Sequence, residues 1–181
     1  MRLFFALWPN ASVAKALSDV AEGCAQRLGG RATRAATIHM TLAFLGEQPR
    51  EKLAEILAAA RAVRMTPFDL SLDRLGSWRH HRLLWAGCRS APAALQDLVA
   101  DLRARLRDSA AVFGEGDAER AKWHFFPHVT LVRKLPAQAF PLALPELRPL
   151  SWPCRNFVLV ESRLSADGAD YRVINTFDCY D

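Results

Sequence analysis

The chain has 181 residues, 51% apolar and 24% charged, a composition ample for a folded core in one compact domain or two lobes that share a core. Lys and Arg number 24 against 19 Asp and Glu, so a net charge of +5 suits an anionic partner without defining one. No apolar run is long enough to span a membrane, and Leu3–Trp8 after Met1-Arg2 reads as a first strand rather than a secretory signal.

Residues 2–8 read as a buried strand closed by Pro9-Asn10. Asn10 or Ser12 can cap the following helix, whose apolar stripe is Val13, Leu17, Val20, Cys24 and Leu28, and which Gly29-Gly30 ends. Arg31 and Arg34 lie in the loop before a second strand, residues 37–45, stopped by Gly46. A helix from about Pro49 carries Leu53, Ile56, Leu57, Ala60 and Val63. Phe68, Leu70 and Leu72 alternate with Asp69, Ser71 and Asp73. A polar turn follows at 76–81 and a return strand at 83–88, so an antiparallel hairpin is expected over 68–88.

Pro92 opens a third helix with Leu95, Leu98, Leu102 and Leu106 on one side. Residues 112–125 show no period and read as a mobile loop running into a strand at 128–133. Five prolines between 136 and 153 mark an extended connector. The last strands are 157–161 and 171–177, joined by a turn at Asp167-Gly168. Three helices among seven or eight strands, many in hairpins, predict an α+β fold with antiparallel sheets, in one domain over 1–181. The four cysteines (Cys24, Cys88, Cys154, Cys179) are scattered and form no Cys-x-x-Cys pair, so a zinc site or disulfide framework is not expected and a reducing cytoplasm is the simplest setting.

The chain carries one tetrad twice: His39-Met40-Thr41-Leu42 and His128-Val129-Thr130-Leu131, one in each half. On an extended strand alternate side chains share a face, so each histidine points the same way as its threonine while Met40 and Leu42, or Val129 and Leu131, pack behind. Neutral imidazole accepts a proton near pH 7 and imidazolium donates one. Two histidines facing across a phosphorus atom can therefore act as base and acid in one displacement, and two threonine hydroxyls can hold its non-bridging oxygens. No metal or cofactor is needed. Phosphate held between the imidazoles favours imidazolium, which places the upper limb of a bell-shaped kcat/KM profile above the ordinary histidine value of about 6.5.

Arg133 can add positive charge, but on a regular strand its odd offset turns it away from Thr130 unless a twist or bulge intervenes. Phe44, Trp123, Phe125 and Phe126 are candidates for a base pocket; Phe44 is expected in the core. His80 and His81 are expected exposed in a turn, and His124 in a loop. A zinc site on His39 and His128 lacks a third ligand, and neither a Gly-x-Ser-x-Gly elbow nor a Gly-rich phosphate loop is present.

With these tetrads and flanks, Ile38–Gly46 and Pro127–Arg133, together with the opening Arg2–Leu7, Trp85 and the late Leu159–Ser162, the sequence resembles the two-histidine phosphoesterase superfamily. Within it, the sequence is most similar to the RNA 2′,3′-cyclic phosphodiesterases, historically named 2′-5′ RNA ligases. The resemblance implies a bilobal, pseudo-twofold fold with a central cleft. It implies opening of a terminal 2′,3′-cyclic phosphate on an RNA 3′ end to a 2′-phosphomonoester; the chain is expected to act as a monomer. His39 would be the proton donor, His128 the proton acceptor, and Thr41 and Thr130 would hold the phosphate with help from Arg133; Phe126, among the base-pocket candidates, is expected to bind substrate. Ligation in the reverse direction, or action on small cyclic phosphates or 2′-5′ oligonucleotides, are the alternatives.

Overall fold

A computed structural model describes residues 1–108, 125–165 and 168–179. In chain order the elements are β1 (Arg2–Leu7), α1 (Ala11–Leu28), β2 (Arg31–Ala32), β3 (Met40–Glu47), α2 (Leu53–Arg61), β4 (Phe68–Leu72), β5 (Arg74–Trp78), β6 (Leu83–Gly87), α3 (Ala93–Asp108), β7 (His128–Arg133), β8 (Leu150–Cys154), β9 (Asn156–Ser165) and β10 (Gly168–Asp178). The architecture is α+β with antiparallel sheets, as the element pattern predicts. One large sheet runs β10-β9-β1-β3-β7-β6-β5, with β2 added on β7, and a small sheet pairs β4 with β8.

Local chemistry explains the helices. The Asn10 side chain accepts the Val13 N–H, the cap expected from its position, and α1 buries Val13, Leu17, Ala21 and Cys24. In α3, Leu95, Leu98, Leu102 and Leu106 form the expected buried stripe. α2 begins at Leu53, because residues 50–52 form a 3₁₀ turn after Pro49.

β1 is buried on both faces. Leu3, Phe5 and Leu7 join the main core, while Phe4 and Ala6 pack with Val158 and Val160 on the other side. The main core also holds Met40, Leu42, Val129 and Leu131, and so supports both tetrads from behind.

Several expectations are corrected. Residues 68–72 do not pair with 83–88: β4 pairs with β8, from Phe68↔Cys154 to Leu72↔Leu150. The chain changes sheets at Asp73, and the hairpin is β5–β6, with Trp78 opposite Leu83. Gly76 is therefore a strand residue rather than part of a turn. A Cβ there would collide with the Trp85 ring, so only glycine lets that indole lie across β5.

Gly46 does not stop β3 either. It lies inside the strand at φ +71°, where Leu45 has no partner on β1, and the positive φ suits glycine at this bulge. The strand starts at Met40 rather than Thr37, because residues 35–37 form a 3₁₀ turn. The proline-rich connector ends in a strand, β8; Pro153 is tolerated there because both strands of a two-stranded sheet are edges. The expected loop at 112–125 lies outside the described residues except for Phe125, as does Asp167 of the expected last turn.

Candidate active site

The two halves of the large sheet meet where Met40 of β3 pairs with Val129 of β7. Continuing that antiparallel register sets His39 across from Thr130 and Thr41 across from His128. Met40 and Val129 are fully buried, so strand alternation turns the four polar side chains to the opposite face, where all are half-buried. The structure thus brings both tetrads onto one surface with local twofold symmetry.

Both imidazoles are held alike. His39 Nδ1 lies 2.8 Å from the Thr37 carbonyl oxygen and His128 Nδ1 lies 2.8 Å from that of Phe126. A carbonyl oxygen can only accept, so Nδ1 carries hydrogen in both rings, and each neutral ring has its lone pair on Nε2. Burial lowers the His39 pKa to about 4; the Thr37 bond opposes this, and the charges of Arg133 and His128 lower it further. Burial also lowers His128, against its Phe126 bond and with help from Arg133. Both rings are neutral at pH 7, and an anion between them reverses the balance towards imidazolium.

Arg133 reaches this face through a bulge. Trp85 pairs with Thr130 and the preceding Leu84 with Val132, leaving Leu131 without a partner on β6. Leu131 and Val132 are both buried, and Arg133 returns to the exposed side. β3 repeats the device: Ala6 pairs with Thr41 and Phe5 with Ala43, leaving Leu42 unpaired. A second shift, at Leu45, follows. Phe44 holds the position in the first tetrad strand that Arg133 holds in the second. It is 55% exposed, contrary to its expected place in the core, because the bulge has already turned both Leu42 and Ala43 inward.

Each histidine has an aromatic wall. Trp8 stacks on His39 at 5.5 Å and 7°, Phe4 lies at 4.9 Å, and Tyr171 meets its ring edge-on at 5.2 Å. Trp78 packs edge-on against His128 at 4.7 Å, and Phe126 lies at 6.2 Å. The Phe126 ring rests on Trp85 and stays partly open to solvent, with the Arg74 guanidinium 5.3 Å from the Trp85 ring and 5.6 Å from Phe126.

Trp8, Trp78, Tyr171, Arg74 and the two carbonyls were not singled out in the sequence. The one local signal is that each tetrad histidine has its hydrogen-bonding carbonyl two residues upstream. His80 and His81 are exposed in the β5–β6 turn, as expected. Phe125 is half-buried against the core, and Trp123 and His124 lie outside the described residues. Among the described residues, no group of three or more His, Cys, Asp or Glu side chains is placed to hold a metal.

An α+β fold that sets two His-x-Thr-Leu strands side by side, with both imidazoles presenting Nε2, has the architecture of a two-histidine phosphoesterase. A family model described as LigT-like phosphoesterase matches residues 7–85. The chain is 33% identical to a Thermus thermophilus protein named RNA 2′,3′-cyclic phosphodiesterase, over 98% of this chain and 89% of that one. It is 35% identical to an Escherichia coli protein of the same name, over 73% of this chain and 71% of that one. Among solved structures, apo E. coli LigT matches with a TM-score of 0.82 at 27% identity, over 99% of this chain and 98% of that one. E. coli LigT has also been solved with 3′-AMP, at a TM-score of 0.80 and the same identity and coverage. The chain belongs to the LigT-like phosphoesterase family, among relatives named RNA 2′,3′-cyclic phosphodiesterases.

Proposed function

We propose that this protein opens the 2′,3′-cyclic phosphate at an RNA 3′ end to a 2′-phosphomonoester, without a metal. The observation that carries this reading is the matched pair of imidazoles on one face, each fixed through Nδ1 and each two residues before a threonine. His128 Nε2 takes a proton from water as the water oxygen bonds to phosphorus. The P–O3′ bond breaks, and His39 Nε2 gives its proton to the leaving 3′ oxygen. Which histidine takes which role follows the family resemblance, since the local symmetry treats the two alike.

Thr41 and Thr130 donate hydrogen bonds to the non-bridging oxygens, and Arg133 adds charge where the negative phosphate gathers. The half-open Phe126 ring lies against the substrate's terminal nucleoside. The names of the relatives support RNA as the substrate class. A monomer in the cytoplasm is the simplest working form. Burial of Cys24, Cys88 and Cys154 as free thiols suits a reducing compartment, and no helix among the described residues is long and apolar enough to cross a membrane.

The test is to incubate the protein, in EDTA, with an RNA ending in 2′,3′-cyclic phosphate and to determine the position of the product phosphate. A 2′-phosphate is expected. A 3′-phosphate would reverse the assignment of the leaving oxygen. Loss of activity in EDTA, restored by zinc, would overturn the metal-free mechanism. Joined RNA on supply of a 5′-hydroxyl end would show that the same site also runs in reverse.

A further inference from the structure

The hairpin beside His128 is basic. On the His128 side, residues 74–96 contain Arg74, Arg79, Arg82 and Arg89 and no Asp or Glu, and residues 125–145 contain Arg133 and Lys134 and again no acid. Arg79, His80, His81, Arg82 and Lys134 are all exposed, and none has an ion-pair partner among the described residues.

The fold gathers these groups at one place. The Leu135 N–H donates to the Arg82 carbonyl at 2.9 Å, and Arg82 Nε donates to the Leu135 carbonyl at 2.6 Å. These two bonds fasten the end of β7, with Lys134, to the tip of the β5–β6 hairpin. A line of rings connects that tip to the reacting centre. Trp78 lies 4.7 Å from His128, His81 lies 6.1 Å from Trp78, and His80 lies 4.0 Å from His81.

We propose that this hairpin tip is a binding track for single-stranded RNA, taking the nucleotides that precede the reacting end. Cations with interleaved rings are what an unpaired strand requires: the charges follow the phosphates and the rings stack on bases whatever their identity. Hydrolysis of the terminal phosphate alone has no use for a basic tip several side chains away. The inference rests on the cyclic phosphodiesterase reading and assigns its substrate as an oligonucleotide rather than a free cyclic mononucleotide.

The experiment compares a 2′,3′-cyclic mononucleotide with a ten-nucleotide RNA bearing the same end, across a range of salt, for the wild type and for R79Q/K134Q. Circular dichroism melts of both proteins confirm that the variant is folded. The wild type should favour the RNA at low salt and lose that preference as salt rises. The double variant should lose roughly tenfold in kcat/KM on the RNA, keep its rate on the mononucleotide, and show a salt slope shallower by about 1.4, at about 0.7 per lost phosphate contact on a single strand. H81A should reduce the RNA preference without changing the salt slope. Equal wild-type rates and equal salt dependence on both substrates would overturn the track, as would losses in the variant that do not depend on length. A wild type that opens neither substrate would instead overturn the hydrolysis reading beneath it.

Discussion

Met40 sits opposite Val129 in the single bridge between β3 and β7 among the described residues, and both side chains are fully buried. Each histidine is the residue just before its bridge partner, so the spacing of the imidazoles depends on this seam. Met40→Ala should cost about 2–5 kcal/mol in stability, the usual range for such a truncation in a core, and Met40→Leu less than about 1.5 kcal/mol. Urea unfolding measures both. The Ala variant, assayed while fully folded, should also lose kcat/KM. Normal turnover in it would mean that the histidines are aligned by something other than the seam.

Removing either histidine should abolish most hydrolysis while preserving the fold, because both rings are half-buried and stay open on one side of the sheet. A positioned acid or base contributes about 10² to 10⁴ in rate. His39→Ala and His128→Ala act on one step, so the double variant should lose far less than the product of the single losses. Single-turnover rates on cyclic-phosphate RNA give all three values, and multiplicative losses would contradict a concerted acid–base pair.

The threonines should show smaller effects. Thr41→Val and Thr130→Val keep the β-branched shape that a strand favours and delete one hydroxyl donor. A hydrogen bond to a charged oxygen contributes about 1.5–3 kcal/mol, which corresponds to roughly ten- to a hundredfold in kcat/KM. If both Val variants matched the wild type, the threonines would be strand residues only.

The pH dependence separates free from occupied protein. With both histidine pKa values lowered, His39 to about 4, the limbs of kcat/KM should fall below the ordinary histidine value of about 6.5. This corrects the kcat/KM limb that the sequence places above that value: burial in the free protein acts the other way, and a limb above about 6.5 is expected only in kcat, where bound phosphate favours imidazolium. Stability follows the same shifts. A histidine whose folded pKa is depressed binds more protons when unfolded, so stability is complete above about pH 6.5 and falls as pH drops towards about 4. His39→Gln should flatten the unfolding free energy across that window, and an unchanged slope would mean that His39 is not buried as a neutral ring.

The tetrads were legible in the sequence because a two-residue period needs no distant partner. The Asn10 cap and the α1 and α3 stripes were legible for the same reason. What stayed hidden depends on pairings far along the chain. Nothing local to residues 68–72 announces residues 150–154 as their partner, and the prolines around Pro153 conceal a strand. The reach of Arg133 and the exposure of Phe44 turn on bulges at Leu131 and Leu42, which a strict alternation cannot represent. Trp8, Trp78 and Tyr171 meet the histidines only because distant segments share one sheet, with β1 beside β3, β5 separated from β7 by β6, and β10 separated from β3 by β1 and β9.

The twin Nδ1–carbonyl bonds have a consequence for turnover. Each ring can exchange a proton only at Nε2, the atom that also does the chemistry. After one hydrolysis on the proposed assignment, His128 holds the proton taken from water and His39 has surrendered its own. The site is then charged for the opposite reaction. It is reset only when water at the cleft mouth removes a proton from one Nε2 and supplies one to the other. Product must therefore leave, or solvent must reach past it, before the next cycle. The chemical step moves two exchangeable protons and so carries a solvent isotope effect of its own; a larger effect on multiple turnovers than on the first would be the mark of that recharging step.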